Sequence, residues 1–329
     1  MTSANKRHCS TTTAAGRKRV GLALSSGSSR GWAHIGAIEA LEAEQIPIDI
    51  IAGCSVGAYV GAVYAGGGMS SLKDFVLRMN GQKIFSYFDV VFPRSGLLDG
   101  TRKVKELFQM HSKARTFEEL SIPLMMVATD LESGGRVVLN SGDLLAALRA
   151  TMSLPGLFAP ARINDHWLLD GGLVDPVPVG LAKSMGADIV IAVDLNSGLL
   201  PRRDRWRRAA SPQAEPLPLD EPASYRNEWV RKFADYYENA ESTFKQKIRE
   251  MLHKEIDMPD IVETVTTAIG IMQERITRVN LAVEPPDVLV QPRLGELHMM
   301  DFDQVDKAIE EGYLGVRDSI EDIRMLLKA

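Results

Sequence analysis

The chain has 329 residues, 45% of them hydrophobic and 25% charged, with a formal net charge of −5. This is ordinary for a globular protein with a sizeable core, and the mildly acidic balance excludes a general nucleic-acid footprint. Two cysteines, Cys9 and Cys54, make no disulfide framework and suit a reducing compartment. Residues 1–19 are Ser/Thr-rich with scattered Lys and Arg, lack the apolar stretch of a secretory signal, and read as a disordered tail. An apolar strand is predicted over 20–24, then a Gly/Ser loop over 25–31. A helix over 33–45 follows, with Ile35, Ile38, Leu41 and Ala43 on its apolar face. The next strand, over 46–51, leads into Gly53-Cys54-Ser55-Val56-Gly57 and a small-residue helix. Strand, loop, helix, strand and helix in this order are the start of a parallel α/β domain.

Beyond residue 68 the pattern loosens. Residues 69–100 read as irregular, and the apolar cluster over 85–92 suits core, a lid or a lipid-contacting surface. A helix over 101–111, strands over 123–129 and 135–140, and a helix over 143–152 come next. Trp167 to Asp170 is a strand that runs straight into Gly171 and Gly172, and a buried strand over 188–195 follows. Five arginines around Trp206, at 202–208, and a Pro-rich segment mark 197–224 as a linker or insertion; its basic cluster suits a solvated surface or anionic lipid heads. Helices over 225–255 and 261–281, a strand over 287–294 and a last helix over 304–327 complete a helical extension at 225–329.

The chemistry concentrates in the second strand–helix junction. Gly-x-Ser-x-Gly at the end of an apolar run is the layout of a nucleophile elbow, with Ser55 at the tip. The sharp turn brings neighbouring chain close, and a Cβ at Gly53 or Gly57 would crowd it. The uncharged run from Ile50 to Leu72, with Gly53, Gly57 and Gly61 four apart, also has the look of a membrane helix. Pro47 and Asp49 at its start, Gly66-Gly67-Gly68 inside it and few large aliphatics favour a buried helix lying close to a sheet.

An activated serine needs a base. Of the six histidines (His8, His34, His111, His166, His253, His298), none carries a convincing signature; His298 is late enough, and His166 reads as a strand-edge or turn residue. Asp170 is the better base: in a desolvated site, touching Ser55, a carboxylate takes the proton as the tetrahedral intermediate forms. Gly171 and Gly172 would let the backbone pass close to the elbow. The 25–31 loop offers a donor cluster for an oxyanion hole. Its Gly27 and Gly31 do not have the spacing of a dinucleotide loop, and no metal signature is present.

Taken together, these stretches resemble the patatin-like phospholipase family, in particular its bacterial branch similar to the lysophospholipase domain of neuropathy target esterase. The matching pieces are residues 22–31, Gly53-Cys54-Ser55-Val56-Gly57 and Asp170-Gly171-Gly172, supported by 95–100, Thr129-Asp130 and 149–156. The resemblance covers 20–195 and continues loosely from 258 onward. It implies a three-layer α/β/α domain at 20–196 with a mainly parallel sheet, and a Ser55–Asp170 dyad without histidine. It further implies an oxyanion hole from the amides of Gly27, Ser28 and Ser29, with Arg30 and Gly31 fixing the loop, and no cofactor or metal. The expected activity is hydrolysis of an acyl ester of a phospholipid, lysophospholipid or neutral lipid. A poorly active scaffold and an acyltransferase are the alternatives. The expected location is the cytoplasm or the inner membrane face, with a lipid substrate, no nucleic acid, and membrane or homo-oligomer contact through the apolar cluster or late helices. The family loop is usually glycine-rich; here Ser25, Ser26, Ser28 and Ser29 surround Gly27, and a serine at any positive-φ position there would be strained by about 1–2 kcal/mol.

Overall fold

The computed structural model describes residues 17–78, 101–198, 261–297 and 304–329. Tertiary contacts divide the chain into one unit of 1–200 with 262–329 and another of 201–261. The 85–92 cluster, the 95–100 match, the 202–208 arginines, the 225–255 helix and His8, His253 and His298 lie outside the described residues.

Strands β1 (Val20–Leu24), β2 (Ile50–Cys54), β3 (Leu124–Asp130), β4 (Arg136–Leu139), β5 (Ala161–Ile163), β6 (His166–Asp170), β7 (Ile189–Val193) and β8 (Val288–Val290) form one sheet. Its order is β5-β6-β3-β2-β1-β7-β8, with β4 also beside β3. β1 pairs parallel with β2 and β7, β2 with β3, and β7 with β8; the pairs β3–β4, β3–β6 and β5–β6 are antiparallel. Every residue of β1, β2 and β7 is buried, which explains why their sequences are unbroken apolar runs: parallel strands are covered on both faces.

The helices are α1 (Ala33–Ala43), α2 (Val56–Ala65), α3 (Met69–Arg78), α4 (Thr101–His111), α5 (Leu144–Thr151), α6 (Val179–Ser184), α7 (Ile261–Val283), α8 (Val305–Asp318) and α9 (Ile320–Lys328). Alternate strand residues point to opposite layers. Leu22, Leu24, Ile51, Met126, Ile191 and Val193 face a large core with α1, α2, α4, α5, α8 and α9. Ala23, Ala52, Val127, Val190 and Ala192 meet α6 and Leu281 of α7 on the other face. The architecture is the expected three-layer α/β/α sandwich, with small side chains where the thinner layer lies close.

Several local expectations needed revision. Residues 69–78 are helical, because Met69, Leu72 and Val76 place one buried stripe at helical spacing. The predicted last helix is two, broken at Ser319. The strand expected over 287–294 pairs only at Val288–Val290. β5 and α6 were not read from the sequence; both are too short to carry a period. The uncharged run from Ile50 to Leu72 divides into β2, α2 and the start of α3, and among the described residues no helix is long and apolar enough to cross a membrane.

Candidate active site

The register of β3 brings the two key side chains together. Along β3, Val127 pairs with Cys54 of β2 and with Val138 of β4; the next residue, Ala128, pairs with Asp170 of β6 and with Val137 of β4. A strand has two edges and β4 holds one of them from Met126 to Thr129, so β2 and β6 share the other. They arrive from opposite directions and meet end to end. The residue after Cys54 is Ser55, and Asp170 is the last residue of β6. Two distant segments thus deliver a hydroxyl and a carboxylate to one point.

Ser55 Oγ donates to Asp170 Oδ2 at 2.6 Å. Ser55 has φ 54 and ψ −124, a left-handed conformation costing a non-glycine residue on the order of 1–3 kcal/mol. The surrounding chain enforces it. The Ser55 N–H donates to Thr151 Oγ1 at 2.9 Å, and that hydroxyl donates to the Val127 carbonyl at 2.6 Å. A Cβ at Gly53 would collide with the backbone of Ala58, and one at Gly57 with the carbonyls of Leu24 and Ser25. Ser55 sits directly before the first turn of α2, where the helix dipole favours developing negative charge.

Asp170 is 1% exposed. Its Oδ1 accepts from the Gly172 N–H at 2.8 Å, its N–H donates to the Ser153 carbonyl at 2.9 Å, and its carbonyl accepts from Thr129 Oγ1 at 2.8 Å. Arg149 supports this backbone from behind, donating to Ser153 Oγ at 2.6 Å and to the Ala159 carbonyl at 2.7 Å. Burial lifts the Asp170 carboxyl to about 6, although the bonds from Ser55 and Gly172 pull it down. A carboxylate poised there exchanges protons near neutrality.

The two glycines after Asp170 do different work. A Cβ at Gly171 would strike the Val127 carbonyl and approach Cys54 Sγ, so a residue without one lets the turn pass close to the end of β2. A Cβ at Gly172 would instead strike the Gln273 side chain of α7 and crowd Asp170 Oδ1.

The loop after β1 is a 3-10 turn, Ser28–Trp32, continuous with α1. The Arg30 N–H donates to the Gly27 carbonyl at 3.2 Å, so the amides of Ser28 and Ser29 precede the turn's first internal bond. Gly27 is extended at φ 166, while Ser28 takes φ 53: the position needing left-handed backbone is one that carries serine. Gly31 lies where a Cβ would enter the Val56 side chain, so the turn packs beside the residue following Ser55. Arg30 is 1% exposed and its Nε donates to the Gly27 carbonyl at 3.2 Å. Burial lowers its guanidinium to about 10, against the attraction of Asp194 at the end of β7.

Among the described residues no histidine bonds to Ser55 or Asp170. His34 is buried against the Ser25 carbonyl at 2.8 Å, and burial holds it at about 4. His166 stands at the opposite end of β6 from Asp170 and pairs with Asp130 at 2.8 Å. Sequence reasoning gave no role to Thr151 or Gln273. Thr151 lay within the 149–156 match, but its bond to Ser55 spans 96 positions and leaves no local signal.

The patatin family profile, described as patatin-like phospholipase, matches residues 22–183. An NTE family protein of Mycobacterium tuberculosis is 38% identical over 187 residues, covering 56% of this chain and 52% of the relative. A lysophospholipase of Pyricularia oryzae is 37% identical over 187 residues, covering 55% of this chain and 12% of the relative. The chain therefore matches about half the length of the first and a small part of the second. VipD from Legionella pneumophila, a solved structure, is 13% identical with a TM-score of 0.46, covering 93% of this chain and 67% of that one. Residues 22–183 are thus a patatin-like phospholipase domain, similar to the NTE family proteins and lysophospholipases it matches.

Proposed function

We propose that the protein is a serine esterase that hydrolyses carboxylic esters of lipids, of the phospholipase A or lysophospholipase type, through an acyl-Ser55 intermediate. The observation that carries this reading is the 2.6 Å bond from a strained Ser55 to a buried Asp170. Ser55 Oγ attacks the ester carbonyl while its proton passes to Asp170 Oδ2. The resulting oxyanion is held by the amides of the Gly27–Ser29 segment, aided by the N-terminal end of α2. Collapse expels the alcohol, which takes the proton from Asp170. Water then attacks the acyl-serine with Asp170 again as base, the fatty acid leaves, and Ser55 recovers its proton. The name of the fungal relative supports a lysophospholipid as the first substrate to try.

The positive φ of Ser28 favours a second reading, a lipid-binding scaffold with weak turnover, because the loop must hold a strained serine to present its donors. The test is fluorophosphonate labelling followed by mass spectrometry, run beside a lysophospholipid assay. We expect one adduct at Ser55, release of free fatty acid, and loss of both in folded Ser55→Ala. A labelled but non-hydrolysing protein that passes acyl groups to an added alcohol would be a transferase. An unlabelled, inert wild type would leave the scaffold.

A further inference from the structure

Helix α7 lies outside residues 22–183, yet it packs on the segment at 154–158 and on the turn that follows Asp170. Near its start, Ile269 and Val265 pack with Leu154, Leu157 and Phe158. Near its end, Asn280 Nδ2 donates to the Val174 carbonyl at 3.1 Å. Between these anchors, the Gln273 carboxamide occupies the place a side chain at Gly172 would take. Asp170 Oδ1 lies 3.0 Å from that same point. Gln273 is 1% exposed, and its Oε1 is buried with no hydrogen-bond partner among the described residues.

An unpaired buried amide oxygen costs about 1–3 kcal/mol, whereas methionine would fill the same volume at no such cost. A polar group kept under that penalty beside the proposed base points to the chemistry rather than to packing. We infer that Gln273 is a positioning residue: it braces the Asp170–Gly172 turn and keeps Oδ2 aimed at Ser55, so that a helix beyond the family-matched segment completes the site. This rests on the proposed Ser55–Asp170 reading.

The test compares wild type with Gln273→Met, Gly172→Ala and the Gly172→Ala/Gln273→Ala pair, with Ser55→Ala as reference. Steady-state ester hydrolysis, circular dichroism and thermal unfolding are read on each. Gln273→Met is expected to unfold at or above the wild-type temperature. Its kcat should fall about tenfold or more with KM within about twofold, as misplacement of a reacting group would produce. Gly172→Ala should lose more, and Gln273→Ala should restore part of that loss by vacating the methyl's space. A wild-type kcat in Gln273→Met, in an assay that Ser55→Ala abolishes, overturns the role of Gln273 alone. Full activity in Ser55→Ala overturns the dyad, and the positioning role with it.

Discussion

Ser28 and Ser55 share a positive φ, 53 and 54, in two turns that touch where Gly31 meets Val56. Ser55 is secured at both ends: its N–H is bound by Thr151, its Oγ by Asp170, and glycines on either side admit the neighbouring chain. In this turn its Oγ is aimed at the carboxylate. Ser28 has a different surrounding. The bonds that hold its loop belong to neighbours: Arg30 to the Gly27 carbonyl, and Asn196 Nδ2 to Ser26 Oγ at 3.3 Å. The proposed oxyanion hole needs only an N–H at this position, which glycine supplies without strain. Strain at the elbow accompanies a side-chain function, and strain in the facing turn accompanies a backbone one.

The largest expected effect breaks the elbow's partner. Asp170→Asn removes the base and should lower kcat by about 10²–10⁴-fold, measured on the folded variant. It should also stabilise the protein. The folded carboxyl, at about 6, lies above its unfolded value, so the native state binds the extra proton between those two values. Stability therefore falls as pH rises through that window, and above pH 7 the ionised Asp170 costs up to about 3 kcal/mol. Thermal unfolding at pH 8 should show Asp170→Asn melting above wild type; a lower melting temperature would contradict the burial argument. In wild type, kcat/KM should rise with pH to a plateau above about 6, because only the ionised carboxylate accepts a proton. A rate flat from pH 4 to 8 would exclude Asp170 as base.

Thr151→Val sharpens the comparison by removing the elbow's backbone support while keeping its shape. The Ser55 N–H and the Val127 carbonyl both lose a buried partner, so stability should drop by about 1–3 kcal/mol by chemical denaturation, with a several-fold loss of kcat. The smallest effect belongs to the other serine. Ser28→Gly relieves about 1–2 kcal/mol of left-handed strain and gives back about 0.5–1 kcal/mol in chain entropy. The folded state should gain no more than about 1.5 kcal/mol, with kcat equal to wild type or higher. A large drop in rate would mean that the Ser28 hydroxyl itself takes part.

Much of this site was legible in the chain because its requirements are local. A sharp strand-to-helix turn needs glycine at fixed offsets, so Gly53 and Gly57 mark Ser55 without reference to anything distant. Buried parallel strands must be apolar throughout, which made β1, β2 and β7 readable. Asp170 stood out because a strand runs straight into an acid and two glycines while no histidine carries a convincing signature. Elements that failed to appear were short or lacked a period, as with β5 and α6, or sat where α3 adjoins residues 79–100, beyond the described chain.

Tertiary structure alone decided the rest, because burial and proximity are properties of long-range packing. The meeting of β2 and β6 on one edge of β3 follows from strand register, which no single segment encodes. The elevated pKa of Asp170 follows from the water it loses when the layers close over it. Thr151 and Gln273 look like any threonine and glutamine in a helix. Their places beside Ser55 and Gly172 exist only once α5 and α7 have packed against the strand ends.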